Sequence, residues 1–243
     1  MKKICFAFGF ILLVLSATTL FAQFQGTVHI KETTYVDDSE PTIKNSKIIF
    51  LGSSVRVEES SEESSLPDVL IVKSNEKKIL ILMHEDKKYV ELDFQVLINL
   101  VNGLKGLIGD DDDDEDDSYD EPTENVKKTG RSTTLHGYKC EEYVYNDDET
   151  TSTAWICENF ADFWKMFKEI TDALDTDYNN SRDWFISAIG TNGFPFKITE
   201  KDEDGELLSE WEVVKVDKSK PSRSLFEVPK GYKKMSLMEM FEE

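Results

Sequence analysis

Residues 68–93 restrict the possible folds most strongly, because they contain three short apolar runs separated by two short polar breaks. The segment reads DVLIVKSNEKKILILMHEDKKYVELD, and its breaks at 74–76 and 85–87 are rich in turn-forming residues. A parallel connection between neighbouring strands needs a dozen or more residues, which these breaks do not provide. The segment therefore predicts three consecutive strands of an antiparallel meander.

Strand patterns flank this meander on both sides. Residues 24–35 alternate loosely around Val28 and Ile30, and residues 46–60 give two apolar bursts around Gly52. Near the other end, residues 193–217 predict a hairpin with its turn at Asp202–Gly205. The chain is therefore expected to build most of its core from one antiparallel sheet.

Two segments in which apolar residues repeat at helical spacing interrupt the strand patterns; we call them the apolar helical stripes. One opens at Asp93 and the other at Asn159, which is a good N-cap residue. We expect both stripes to pack on the sheet, which gives an α+β fold. The residues that we expect to form an apolar ligand-binding lining are Leu97, Val101, Leu104, Phe160, Phe163, Trp164 and Phe167.

The N-terminus has the layout of a secretory signal peptide. Two lysines follow Met1, an apolar run extends from Ile4 to Leu15, and small residues lead to Ala22. Cleavage after Ala22 would leave residues 23–243 as a single domain in the periplasm or outside the cell. The apolar run is shorter than the roughly 20 residues of a membrane span.

Acidic residues dominate the charge of the chain, which is −21 at pH 7. Such a charge argues against nucleic acid as a partner. Asp110 to Asp117 are consecutive acids, and they predict a disordered, solvated loop at about 109–125. The run does not fit a calcium-binding EF-hand loop, because Glu115 stands where that loop requires glycine.

Two cysteines, Cys140 and Cys157, remain after the signal peptide. A turn at 147–150 pairs Asn146 with Thr151 and places the two cysteines opposite each other. In an export compartment this arrangement favours a disulfide over free thiols. The spacing fits neither a zinc site nor a redox Cys-x-x-Cys pair, although both remain alternatives at this stage.

No motif for catalysis or for a cofactor is present in the sequence. The three histidines, His29, His84 and His136, stand apart from one another and belong to no metal-binding pattern. The chain also lacks a nucleophile elbow and a glycine-rich phosphate loop. We therefore expect a protein without catalytic residues, cofactor or metal.

Four short motifs follow one another in the second half of the chain: a Gly-Tyr-x-Cys-x-x-Tyr strand, a Trp-containing return strand, a Gly-x-Pro before a strand, and a closing Phe-x-x-Pro-x-Gly-Tyr. The residues that carry them are Gly137, Tyr138, Cys140, Tyr143, Trp155, Gly193, Pro195, Phe226, Pro229, Gly231 and Tyr232. In this order the motifs resemble those of the bacterial family catalogued as domain of unknown function 4412.

Families of this type look similar to the periplasmic lipoprotein-carrier (LolA/LppX-like) superfamily. The resemblance implies a curved antiparallel sheet, an unclosed half-barrel, with helices covering its concave face. In the well-studied relatives that face holds acyl chains. The leading hypothesis is therefore a non-enzymatic exported protein that binds a lipid or another apolar ligand. The alternative is an envelope scaffold protein with a filled core, whose acidic loop engages a protein partner or cations.

A methionine-rich tail ends the chain. Met235, Met238 and Met240 lie close to Leu237 and Phe241. Methionine is an adaptable apolar residue, so this tail is suited to cover the edge of a pocket. A frayed end and a docking peptide are the other interpretations of the same pattern.

Overall fold

The structure is a computed structural model, and it describes residues 24–36, 39–60, 69–99, 126–147, 149–158, 160 and 193–242. The predicted signal peptide, the acidic run Asp110–Asp117 and most of both helical stripes lie outside these residues. The expectations for those segments therefore stay predictions.

Twelve strands form one sheet among the described residues. Their order across the sheet is β12-β6-β5-β4-β3-β2-β1-β11-β10-β9-β8-β7, and β12 and β7 are its two edges. The strands are β1 (Gly26–Thr34), β2 (Thr42–Leu51), β3 (Ser54–Ser60), β4 (Val69–Lys73), β5 (Lys78–Met83), β6 (Lys88–Asp93), β7 (Val126–Leu135), β8 (Tyr138–Asn146), β9 (Thr150–Glu158), β10 (Gly193–Asp202), β11 (Leu207–Asp217) and β12 (Lys233–Lys234).

The predicted strands and turns are confirmed. The segment 68–93 forms β4, β5 and β6, which pair antiparallel in chain order. The hairpin of β10 and β11 turns at Asp202, whose carbonyl accepts a hydrogen bond from Gly205 N at 3.1 Å. The sheet is antiparallel except at its edge, where the two-residue strand β12 runs parallel to β6.

The first face of the sheet is apolar from β1 to β6, and β2, β4 and β5 also carry apolar residues on the opposite face. On the first face lie Val28, Ile48, Val72 and Ile79, which belong to one large buried cluster. On the opposite face the alternate residues of β2, β4 and β5 form a second cluster, built from Ile49, Val69, Ile71, Leu80, Leu82 and Phe226. Strands covered on both sides read as continuous apolar runs, which explains the sequences of β4 and β5.

The sheet curves strongly toward its first face. Phe50 on β2 and Tyr138 on β8 are five strand positions apart, about 24 Å in a flat sheet with the usual spacing. Both rings nevertheless contact Phe160, with ring centroids 6.3 and 4.7 Å from that of Phe160. The first face is therefore concave, and the sheet is the unclosed half-barrel that the resemblance implied.

Short helices cover the concave face. The helix α1, at 94–99, begins after Asp93, whose carboxylate accepts a hydrogen bond from Gln95 N at 2.9 Å. It packs Phe94 and Leu97 against the large cluster. The C-terminal helix α2 (Leu237–Glu242) contributes Leu237 and Met240 to the same cluster. The expected α+β architecture is confirmed.

Residues 220–240, which we call the C-terminal strap, cross the convex face and then pass around the sheet edge. Phe226, Val228 and Tyr232 cover the second cluster. The strap next pairs with β6, where Met235 N donates to Tyr89 O at 2.9 Å. Met235 then joins the concave cluster, whereas Met238 is 65% exposed. The tail thus packs at the edge of the sheet, and its role at the edge of a pocket stays a prediction.

Two buried cations fix the strap to the convex face. The guanidinium of Arg56 donates to Leu225 O at 2.8 Å, and the ammonium of Lys73 donates to the Glu227 carboxylate at 3.0 Å. Arg56 and Lys73 are 7% and 8% exposed. Because a buried charge without a partner is costly, these contacts hold the strap in one position.

Gly26 should be essential for the close packing of β1 against Asp217 and Phe24. A Cβ at position 26 would lie 2.2 Å from Asp217 O and 2.6 Å from the Phe24 ring, both of which are held by the core. We expect Gly26→Ala to lower the free energy of unfolding by about 3 kcal/mol, as overpacking does. Urea denaturation followed by circular dichroism measures this loss.

Gly52→Ala is the matched control. Gly52 has φ +60°, and apart from its chain neighbours no atom of the described residues lies within 4 Å of the position that an alanine Cβ would take, so only the left-handed backbone is penalised there. We expect a loss of about 1 kcal/mol. Equal losses at positions 26 and 52 would show that steric contact with Asp217 and Phe24 is not the constraint.

Candidate apolar ligand site

Phe160 is the centre of an aromatic cage on the concave face. Its ring centroid lies 4.3 Å from that of Phe24, 4.9 Å from Phe196 and 5.4 Å from Phe194. Phe50 and Tyr138 complete the cage. Phe160 is only 2% exposed, so its ring is almost fully enclosed. We call these six residues the aromatic cage.

Strand ends bring the cage residues together. Phe50 stands near the end of β2, Phe24 lies just before β1, and Phe24 N donates to Phe160 O at 3.2 Å. Phe194 and Phe196 lie at the start of β10, where the pairing with β9 shifts between Pro195 and Lys197. Such a bulge re-aims side chains, and here both phenylalanines reach the concave cluster.

Tyr138 is presented by a tight turn. The loop between β7 and β8 consists of His136 and Gly137, with φ values of 50° and 84°. Positive φ at both central positions is typical of a two-residue hairpin turn of type I′. His136 Nε2 also contacts Val213 O at 2.7 Å, which fixes the turn against β11. The Gly-Tyr motif therefore aims an aromatic ring at the cage.

Partly buried apolar side chains surround the cage and the rest of the concave cluster. They come from α1, from the strands and from the end of the strap, and they include Leu97, Met83, Met235, Leu237, Met240 and Trp211. Methionine side chains in particular adapt their shape readily. This apolar rim, as we call it, can repack around a bound group at low cost.

The structure describes two of the seven predicted lining residues, and both lie on the concave face. Leu97 packs at the rim and Phe160 fills the cage. Val101, Leu104, Phe163, Trp164 and Phe167 lie outside the described residues. The role of all seven in binding a ligand stays a prediction.

Five of the six cage residues were not predicted from the sequence as part of the site. Phe24, Phe50, Phe194 and Phe196 were part of strand patterns, and Tyr138 was part of a family motif, but none was assigned to the site. Their common signal is an aromatic ring at a strand end, close to a glycine or proline. Only the pairing of distant strands shows that these ends meet.

Glu141 and His29 are two strand residues outside the cage whose pKa values are shifted. The hydrogen bond from Lys128 lowers the pKa of the Glu141 carboxyl. Burial, together with Lys215 and Lys47, lowers the pKa of His29. Within the described ranges, no group of three or more His, Cys, Asp or Glu side chains could hold a metal ion. The only polar atom among the cage side chains is the Tyr138 hydroxyl.

The expected disulfide between Cys140 and Cys157 is confirmed. The register is also as predicted, because Asn146 pairs with Thr151 and Glu141 with Ile156. Asp147 closes the turn by accepting from Glu149 N at 3.0 Å. Both cysteines are fully buried in the concave cluster, so the bond ties β8 to β9 beside the cage.

A family model described as "Domain of unknown function (DUF4412)" matches residues 24–232. The chain belongs to the DUF4412 family. The match covers the whole sheet from β1 to β11 and most of the strap. The DUF4412 motifs are structural in this chain: Tyr138 enters the cage, Cys140 forms the disulfide, and Phe226 and Tyr232 anchor the strap.

No curated protein matches the chain in sequence. Among solved structures, an uncharacterized conserved protein from Thermus thermophilus matches with a TM-score of 0.42 and 10% identity, over 93% of this chain and 98% of the other. A LolA superfamily protein from Nitrosomonas europaea matches with a TM-score of 0.33 and 10% identity, over 84% and 90%.

A third match is PNGF-II, with a TM-score of 0.41 and 10% identity, over 89% of this chain but only 32% of the other. The expected likeness to the LolA-like superfamily is present among these structures. At such identities and TM-scores the likenesses assign no ligand and no activity. Among the helices of the described segments, none has the length and apolarity that crossing a membrane requires.

The disulfide should contribute measurably to stability. Replacing both cysteines, Cys140→Ser with Cys157→Ser, frees a loop with a sequence separation of 17 residues. We expect the free energy of unfolding to fall by about 3 kcal/mol, which is typical of a loop of this length. Urea denaturation with and without a reductant measures the effect.

The reductant provides the internal control for this experiment. The reduced wild type should match the double variant, and the double variant should not respond to the reductant. An oxidised wild type whose stability the reductant leaves unchanged would contradict a structural role for the bond.

Proposed function

We propose that this protein binds a lipid or another apolar ligand on the concave face of its half-barrel and carries out no catalysis. The observation that carries the proposal is the aromatic cage together with its partly buried apolar rim. Ligand sites for apolar molecules are concave and lined by aromatic and aliphatic groups, with few polar atoms. The described concave face has this composition.

The cage offers space that a ligand could take over from Phe160. This ring contacts five aromatic rings of the described residues, yet Phe160 belongs to no strand of the sheet. An acyl chain that entered the cage would replace the Phe160 ring with a similar apolar surface. Such an exchange costs little hydrophobic free energy, because one buried apolar group substitutes for another.

The cellular location in this proposal is the periplasm or the outside of the cell. It rests on the basic N-terminus and the apolar run that follows it, with cleavage after Ala22. The disulfide agrees with this location, because such bonds persist in oxidising compartments. Residues 23–243 would then act as one domain.

Native mass spectrometry of the protein purified from a bacterial periplasm tests the proposal directly. We expect a stoichiometric adduct that dissociates as a phospholipid or a fatty acid, and lipid extraction of the same sample should yield that compound. A bare mass that stays unchanged after incubation with lipids would overturn the proposal. It would instead favour a filled core and the scaffold alternative.

Quenching of tryptophan fluorescence shows where a bound fatty acid lies. Trp211 lies on the concave cluster with its ring 6.0 Å from Phe194, so a brominated fatty acid in the cage should quench it. We expect the quenched fraction to fall in Trp211→Phe. Quenching that is identical in this variant would place the fatty acid elsewhere.

Phe160→Ala tests the exchange between ring and ligand. It removes the ring that competes for the cage, and we expect the affinity for the brominated fatty acid to rise several-fold. Val214→Ala is the matched control, because Val214 is 46% exposed and belongs to no buried cluster of the described residues. Circular dichroism verifies that both variants are folded. Unchanged affinity in a folded Phe160→Ala variant would exclude the cage as the binding site.

A further inference from the structure

A cleft of about 370 Å³ lies on the opposite side of the sheet from the aromatic cage. Its floor includes Leu51 and Phe226, which both pack in the convex cluster. The turn between β2 and β3, the end of β4 and the start of the strap form its walls. We call it the cationic cleft, because its three cations, Lys73, Lys220 and Arg223, outnumber its two carboxylates, Glu76 and Glu227.

Two of these three cations have no ion-pair partner among the described residues. Lys73 is paired, with Glu227 at 3.0 Å and with Glu76 at 3.5 Å. Lys220 and Arg223 are exposed, and neither forms a salt bridge within the described part of the chain. The cleft thus holds cationic groups whose hydrogen-bond donors are directed to no carboxylate of the described residues.

The rest of the protein makes this concentration of positive charge unusual. The chain carries a net charge of −21, with 49 acidic and 28 basic residues. Some described lysines pair with carboxylates, as Lys47 does with Glu58 and Lys78 with Glu91. Lys220 and Arg223 are exposed cations that share one concave space with Lys73, and this proximity favours an external anion as their partner.

The uncharged part of the lining suits an oxyanion. Ser53, Ser54 and Asn75 line the cleft and carry short side chains that donate hydrogen bonds. Gly52 in the same turn has no side chain and leaves room near its backbone. Arginine binds a phosphate through two parallel hydrogen bonds, and lysine adds a point charge.

Glu227 already places an oxyanion in this cleft. Its carboxylate contacts the Lys73 ammonium, whose side chain is 10% exposed, whereas the Glu227 side chain is 66% exposed. An incoming anion could therefore displace the carboxylate into solvent and take over its contact with Lys73. Glu227 would then act as an internal competitor for the ligand.

The geometry points to the cationic cleft as a binding site for a phosphate group, held by Arg223, Lys220 and Lys73 in exchange for Glu227. The sheet separates this site from the aromatic cage, so it is independent of the proposed apolar ligand. The phosphate could be a free ion, a small phosphate ester or the headgroup of a lipid, since all three present the same oxygens.

Isothermal titration calorimetry of the full-length mature protein with inorganic phosphate tests the site. We expect saturable binding that weakens at least tenfold in the double variant Lys220→Gln with Arg223→Gln. Glu227→Gln should bind several-fold more tightly, because the competing charge is gone. Lys230→Gln is the matched control: it removes one exposed cation from the same strap, outside the residues that line the cleft.

Comparison of phosphate binding by the wild type, the double variant and Lys230→Gln decides whether the cleft is the site. Absence of binding to the wild type at millimolar phosphate, or an equal loss in Lys230→Gln and in the double variant, would overturn the site. Circular dichroism melting confirms that the variants are folded, which the exposure of residues 220 and 223 favours.

Two further titrations identify the source of the phosphate. Glycerol 3-phosphate reports on small esters, and vesicles of phosphatidylglycerol in phosphatidylcholine report on lipid headgroups. Binding to vesicles that the double variant loses would assign a headgroup. Binding of the soluble phosphates alone would assign a small ester or the free ion.

Discussion

The pairing of β1 with β11 is the interaction on which the rest of the structure depends. The strands from β2 to β6 form one meander and those from β7 to β11 another, and only β1 joins the two groups into one sheet. Thr27 pairs with Asp217 at one end of the contact and Thr34 with Ser209 at the other. Gly26 allows the strands to approach at the point where Asp217 O would meet a side chain.

This pairing also creates the candidate site. Phe24 lies just before β1 and Phe50 comes from the first group of strands, whereas Tyr138, Phe194 and Phe196 come from the second. Their rings can meet around Phe160 only because β1 holds both groups in one curved sheet. A change that weakened the contact between β1 and β11 would therefore disturb the cage without touching any of its residues.

Local features of the structure were predictable from the sequence, whereas long-range pairings were not. The meander of β4 to β6 and the register of Cys140 and Cys157 depend on turns of a few residues, which leave a strong signal in the chain. The contact of Thr27 with Asp217 joins residues almost the whole chain apart, and no turn specifies it. The cage depends on that contact. Phe24, Phe50, Phe194 and Phe196 were therefore interpreted only as parts of strands, and their meeting around Phe160 was missed.

The strap could not be predicted for a related reason. Arg56 and Lys73 hold it through Leu225 and Glu227, which lie more than 150 residues later in the chain.

Curvature gives the two faces of the sheet different chemistry. On the concave side neighbouring strands direct their side chains toward one another, so that rings from distant strands fill a common space and exclude water. On the convex side the side chains of neighbouring strands point away from one another, and a separate segment must cover them. The strap covers that face with a few apolar side chains, such as Phe226 and Tyr232. The cationic cleft beside it is lined by polar residues at the strand ends as well as by core residues. The two proposed ligands, an apolar group inside the half-barrel and an anion outside it, follow this difference between the faces.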